Sequence, residues 1–162
     1  DGIVSWMMAV DTNKAPLGPS NQSVCFESVF HQVRHPLLVI SSVSKNECRA
    51  TWNFIMKQIP EISKSDSLIA KSAKYWYYWN LEAEKKADWR YRIEDLAEVL
   101  EEMGLRLGVS LDKESLKRIP SDCHHVRSCN RLSWSELGDK VSLELFQRIQ
   151  GMALRYGYSL ED

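Results

Sequence analysis

The chain has 162 residues, of which 44% are hydrophobic and 27% are charged, and its formal net charge is -1. This length fits one domain, and the composition excludes both a disordered chain and a fibre rich in glycine and proline. The balance of 21 basic and 22 acidic residues argues against binding to nucleic acid by bulk charge, and no apolar run approaches the roughly 20 residues of a membrane helix.

The first elements in chain order are a loop and a helix. Residues 1–22 are predicted to be an N-terminal segment and loop, because proline and glycine recur between positions 16 and 19. A helix is predicted to begin at Ser23, which can cap it, and to end where Pro36 disfavours helical geometry. Its apolar residues recur at helical spacing: Phe26, Val29, Phe30 and Val33.

Two helices are predicted in the middle of the chain. The first ends at Pro60 and has apolar residues on one face: Cys48, Trp52, Ile55, Met56 and Ile59. The second begins near Asp66 and contains five consecutive aromatic residues: Tyr75, Trp76, Tyr77, Tyr78 and Trp79.

Three more helices are predicted towards the C-terminus. One ends at Gly104 and has a tight apolar stripe: Trp89, Ile93, Leu96, Leu100 and Met103. A short helix follows over about residues 113–119. Ser133 and Glu136 then form a capping box ahead of the last apolar series: Leu137, Val141, Leu145, Ile149, Met152 and Tyr156.

The fold class that follows is all-α, with about six helices in an irregular or orthogonal bundle. Apolar runs over residues 3–10 and 105–109 alternate too poorly to predict a strand. Residues 1–162 are predicted to be a single domain whose helical core spans 23–156, followed by an exit segment over 157–162. Short connections favour packing between neighbours in sequence.

No catalytic motif indicates an enzyme. The seven glycines are scattered and form no dinucleotide-binding, phosphate-binding or nucleophile-elbow pattern, and no metalloprotease motif occurs. A cysteine and histidine dyad that meets only in the folded chain stays an alternative. We therefore predict a protein without catalytic activity and without a small-molecule substrate.

The segment between positions 64 and 92 combines aromatic and basic side chains. Five consecutive aromatic residues cannot all face one core, because a helix turns about 100° per residue, so some are expected to be exposed. The alternative places Trp76 and Trp79 in the core and the tyrosines at its rim. Exposed aromatic and basic residues are typical of protein interfaces and also suit stacking on single-stranded nucleic acid. The predicted partner-binding residues are Tyr75, Tyr77, Tyr78, Trp79, Lys71, Lys74, Lys85, Lys86, Arg90 and Arg92.

An acidic helix face follows this basic segment. It consists of Glu94, Asp95, Glu98, Glu101 and Glu102. A basic window beside an acidic one would let copies of the domain stack head to tail, although a solvated helix face is the simpler interpretation.

Histidines and cysteines in two places would suit a structural zinc ion, which takes about four ligands. The first pair would lie on one helix face and the others in a loop: His31, His35, Cys123, His124, His125 and Cys129. The favoured alternative makes the histidines surface or interface residues and the cysteines buried apolar residues. No cofactor is therefore predicted.

Three functions fit these patterns. The first is a non-enzymatic interaction or assembly domain that binds a protein partner or itself, with viral matrix or capsid domains as a fold-level analogy only. The second is an RNA-binding module that uses the same aromatic and basic residues. The third is a secreted helical ligand with a glycan at Asn21 and two disulfides, for example Cys25–Cys48 and Cys123–Cys129. The four sparse cysteines favour an intracellular location.

Overall fold

The computed structural model describes residues 28–111, 114 and 131–161. Two short strands lie among its helices, β1 (Phe30–Val33) and β2 (Trp89–Arg92), and a 3-10 turn (Ile93–Asp95) follows β2. The six helices of the described residues are α1 (Pro36–Val43), α2 (Arg49–Gln58), α3 (Leu68–Glu84), α4 (Leu96–Leu107), α5 (Trp134–Gly138) and α6 (Leu143–Arg155).

The prediction of an all-α, mainly helical fold is confirmed at this level, since 59% of the described residues are helical, and a small sheet of two strands accompanies the helices. The two strands pair in parallel, with Phe30 beside Trp89 and Val33 beside Arg92. Parallel neighbours need a long crossover connection, which α1, α2 and α3 provide. The irregular or orthogonal packing of the helices stays a prediction.

The helix predicted from Ser23 to Pro36 is wrong over its described part, which contains β1. Burial in β1 alternates as in a strand, with His31 and Val33 buried and Gln32 exposed. Pro36 instead begins α1, because a proline at the first helical position lacks only an N–H group that has no partner within the helix.

The helix predicted to carry Trp89 and to end at Gly104 is displaced at both ends. Trp89 belongs to β2, whereas Gly104 lies inside α4. Gly108 ends α4 with a φ of 67°, the left-handed conformation that glycine adopts most easily at a helix end. The apolar series that was predicted to lie on one helix therefore spans a strand, a 3-10 turn and a helix.

Local signals located the other helices well. α2 ends just before Pro60, as predicted, and α3 begins after Ser67, whose hydroxyl accepts a hydrogen bond from the Ala70 N–H at 3.1 Å. The capping box of Ser133 and Glu136 is confirmed. The last predicted helix is two helices, however, because Ser142 caps α6 separately from α5. The helix predicted over residues 113–119 lies outside the described residues except for residue 114.

Two hydrophobic clusters lie on different sides of α3. The larger cluster joins α3 to β1, α1, α5 and α6, and its most completely buried side chains include Leu37, Ile40, Leu137, Ile149 and Met152. The smaller cluster is formed by α2 and the turn after it: Trp52, Ile55, Ile59 and Ile62. Within residues 28–111 and 131–161, no helix has the length and apolarity to span a membrane.

Candidate functional site

The aromatic residues of α3 contact the interior of the protein on two sides. Trp76 is 2% exposed and lies in the larger cluster, which the half-buried Tyr77 also contacts. Tyr75, Tyr78 and Trp79 are half-buried against the smaller cluster, and burial raises the pKa of Tyr75. The prediction that some of these aromatic residues are exposed assumed a single core, and that assumption is wrong because two clusters contact the helix. A role of these residues in partner binding stays a prediction.

Most of the predicted basic residues already have a partner within the chain. Lys71 donates a hydrogen bond to the Lys64 carbonyl at 3.1 Å, and Lys86 is half-buried after α3. The others contact carboxylates: Lys74 with Asp66, Lys85 with Glu82, Arg90 with Glu84 and Arg92 with Asp95. Each pair lowers the net positive charge that this surface would offer to RNA or to an acidic partner.

The histidine pair considered as zinc ligands does not have the helical arrangement that this alternative assumed. His31 lies in β1 and His35 precedes α1, so the two do not share a helix face. His31 is also only 4% exposed, which contradicts its interpretation as a surface residue. Among the residues that the structure describes, no group of three possible metal ligands is found. The other predicted ligands lie outside them: Cys123, His124, His125 and Cys129.

His31 joins β1 to α3 as a neutral residue. The Asn80 amide donates to the Trp76 carbonyl at 2.6 Å, which turns its Oδ1 atom towards His31 Nε2 at 2.8 Å. The His31 Nε2 atom therefore carries the proton, while its buried Nδ1 atom has no hydrogen-bond partner among the described residues. Burial lowers the pKa of His31, which keeps the ring uncharged.

Charged residues lie where the two parallel strands end. Arg34 and His35 follow β1, and Glu94 lies in the 3-10 turn after β2. Arg131 reaches this edge from a segment 96 residues further along the chain, and its Nη2 atom is 3.1 Å from His35 Nε2. We refer to Arg34, His35 and Arg131 as the basic edge cluster.

Aromatic and acidic neighbours hold His35 in place. Its ring centroid lies 5.0 Å from that of Tyr158 and 6.1 Å from that of Trp134. The His35 backbone N–H donates to one Glu94 oxygen at 3.0 Å, and the Tyr158 hydroxyl donates to the other at 2.8 Å. Burial, followed by the nearby Arg131 charge, lowers the pKa of His35. The neutral ring can therefore accept a hydrogen bond from Arg131.

The two guanidinium groups of the basic edge cluster differ from the arginines that form ion pairs within the described residues, although exposed Arg49 also has no carboxylate partner there. Neither Arg34 nor Arg131 has a carboxylate partner within residues 28–111 and 131–161, and both are exposed. The Arg34 carbonyl accepts a hydrogen bond from Trp76 Nε1 at 3.2 Å, which fixes its backbone to α3. Five other arginines each form an ion pair: Arg90, Arg92, Arg106, Arg148 and Arg155.

Sequence reasoning missed this cluster because Arg34 and His35 were assigned to a helix and Arg131 is remote in sequence. The available signal was Pro36, which favours the first turn of a helix and places the two preceding residues at an element boundary. Comparison with protein-family models, curated proteins and solved structures found no match. The geometry of the basic edge cluster is therefore the evidence that bears on function.

Proposed function

We propose that the chain binds a small molecule with a tetrahedral anionic group, phosphate or sulfate, at the basic edge cluster. The observation that carries this proposal is the position of Arg34 and Arg131 at the carboxyl edge of a parallel strand pair, without a carboxylate partner among the described residues. Ligands of parallel sheets bind outside the carboxyl ends of the strands. Guanidinium groups match phosphate oxygens with paired N–H donors.

The surroundings of the basic edge cluster support binding of an external anion. Glu94 contacts His35, but its two oxygens accept hydrogen bonds from the His35 backbone and from Tyr158. The backbone of Arg34 and the ring of His35 are also held by contacts with the protein interior. Little conformational freedom of the backbone would be lost on binding, which favours affinity.

Removal of either arginine is expected to weaken anion binding about 10- to 100-fold, because a hydrogen bond to a charged group contributes about 1.5–3 kcal/mol. Calorimetric titration of the full chain with sulfate, pyrophosphate and a nucleoside diphosphate would measure this loss in Arg34→Ala and Arg131→Ala. Tighter binding of sulfate would indicate a sulfate group in the ligand, and tighter binding of pyrophosphate would indicate a phosphate group. Tighter binding of the nucleoside diphosphate than of pyrophosphate would indicate a nucleotide.

Arg148→Ala provides the matched control, since Arg148 is an exposed arginine on α6 that pairs with Glu144. Its anion affinity is expected to equal that of the parent chain. An equal loss in this variant, or no binding of any of the three anions by the parent chain, would contradict the proposal.

An interaction or assembly role is a second proposal, and exposed side chains around the end of α4 favour it. Leu105, Leu107 and Val109 are 83%, 51% and 51% exposed. Glu98 and Glu101 are exposed on the same helix, so this surface combines apolar and acidic groups. The occupant that we propose is a second copy of the chain, whose basic residues after α3 have the complementary charge.

Charge reversal at Lys85 and Lys86 is expected to weaken this self-association, since both residues follow α3 directly. Native mass measurement over a range of concentrations would give the fraction of dimer or larger species in the parent chain and in the doubly substituted chain. Unchanged association together with loss of RNA binding would instead support the RNA-binding function. A parent chain that stays monomeric would contradict the assembly role.

A further inference from the structure

His35 is the titratable group at the centre of the basic edge cluster, and several elements face it. Arg131 approaches from the segment before α5, and Glu94 approaches from the 3-10 turn after β2. Tyr158 packs against the ring from the segment after α6, and Trp134 of α5 packs nearby. Arg34 precedes His35 in the chain, and the charges that act on the ring are one cation, Arg131, and one carboxylate, Glu94.

Protonation would change what the His35 ring can do. The neutral ring accepts a hydrogen bond from Arg131, whose Nη2 atom lies 3.1 Å from His35 Nε2. A protonated ring has no acceptor atom, so two cations would then face each other at hydrogen-bond distance. Glu94 offsets this repulsion only in part, because both of its oxygens already accept hydrogen bonds.

From these contacts we infer that anion binding at the basic edge cluster is coupled to protonation of His35, so that affinity rises as the pH falls. The inference rests on the proposed function, because it concerns regulation of the same site. A tetrahedral anion between Arg131 and the protonated ring would accept a hydrogen bond from each and would remove the repulsion between them. Neutral His35 would offer that anion no such donor at the atom facing Arg131.

The direction of the pH dependence follows from linkage between proton and anion. In the unliganded protein, burial and Arg131 lower the pKa of His35 below its ordinary value of 6.5. A bound anion would raise it, so the complex takes up a proton that the unliganded protein lacks. Affinity is therefore constant above the pKa of the complex, increases as the pH falls, and becomes constant again below the pKa of the unliganded protein.

Sulfate is a suitable probe, since it keeps its charge over about pH 5–8, the range in which histidine titrates. Calorimetric titration of the full chain is expected to show an affinity for sulfate on the order of 10-fold higher at the acid end, which corresponds to one unit of pKa change. The His35→Gln variant is expected to bind sulfate with an affinity that does not change with pH. The same pH dependence in this variant would overturn the inference.

A second measurement does not depend on the variant. The pKa of His35, measured from its ring proton resonance in the parent chain, is expected to rise when sulfate is added, whereas the resonance of the buried His31 is expected to stay unchanged. Sulfate binding with the same affinity at every pH would contradict the coupling and leave the proposed function standing. Absence of sulfate binding at every pH would overturn both.

Discussion

The Trp76→Ala variant is expected to lose about 3–5 kcal/mol of its free energy of unfolding, a large part of the stability of a domain of this size. Trp76 is 2% exposed, and its ring centroid lies 6.0 Å from that of Tyr156 within the larger cluster. Its indole also donates a hydrogen bond to the Arg34 carbonyl at 3.2 Å. The substitution therefore opens a cavity and removes a hydrogen bond.

Urea unfolding followed by circular dichroism would measure this loss. Trp79→Ala is the comparison on the same helix, where the half-buried indole packs against the smaller cluster. The loss of unfolding free energy in Trp79→Ala is expected to be about half as large, because a half-buried indole contributes less buried apolar area than a fully buried one. An equal or larger loss for Trp79→Ala would contradict the assignment of Trp76 to the main core.

Gly104→Ala is expected to lower the free energy of unfolding by up to about 2 kcal/mol, although alanine favours helices more than glycine does. An added Cβ atom would lie 2.7 Å from the Val109 carbonyl oxygen and 3.1 Å from the Leu111 backbone nitrogen. Relief of these contacts requires a backbone shift, and overpacking of this kind costs about 1–3 kcal/mol. The gain in helix propensity, about 1 kcal/mol, offsets only part of that cost.

Gly151→Ala is the matched control in α6. Among the described residues, no atom outside the backbone of α6 lies within 4 Å of the added Cβ atom, so the variant is expected to be more stable than the parent chain by up to about 1 kcal/mol. Thermal unfolding should therefore show a lower melting temperature for Gly104→Ala and a higher one for Gly151→Ala than for the parent chain. Stabilisation by both substitutions would contradict the close approach of α4 to the turn that follows it.

Elements with local signals were predictable from sequence. Proline after an apolar face located the end of α2, and the capping box of Ser133 and Glu136 located the start of α5, since a cap acts within three or four residues. The same locality explains the missed break between α5 and α6. An apolar series at helical spacing continues across Ser142 and does not show that the chain turns there.

The strands were not predictable in this way. Each contains four residues, too few to distinguish a period of two from a helical period. The pairing of Phe30 with Trp89 joins residues 59 positions apart, so the cause of the strand conformation lies outside any local window. The aromatic run of α3 poses the same difficulty, because periodicity does not reveal that two clusters, rather than one, cover the helix.

The candidate site depends on the same long-range contacts. His31 and His35 would share a face only on a continuous helix, and the strand separates them so that one side chain enters the interior and the other faces Arg131. The type of each residue was visible in the sequence. The neighbours that decide its chemistry were not.

The position of the anion site tests the central claim most directly. Pyrophosphate added to isotope-labelled full chain should shift the amide resonances of Arg34, His35 and Arg131 more than any others in a nitrogen–proton correlation spectrum. The Arg34 side-chain resonance should shift with them. Shifts concentrated near Lys64 and Lys71, or no shift at saturating pyrophosphate, would contradict an anion site at the carboxyl edge of the strand pair.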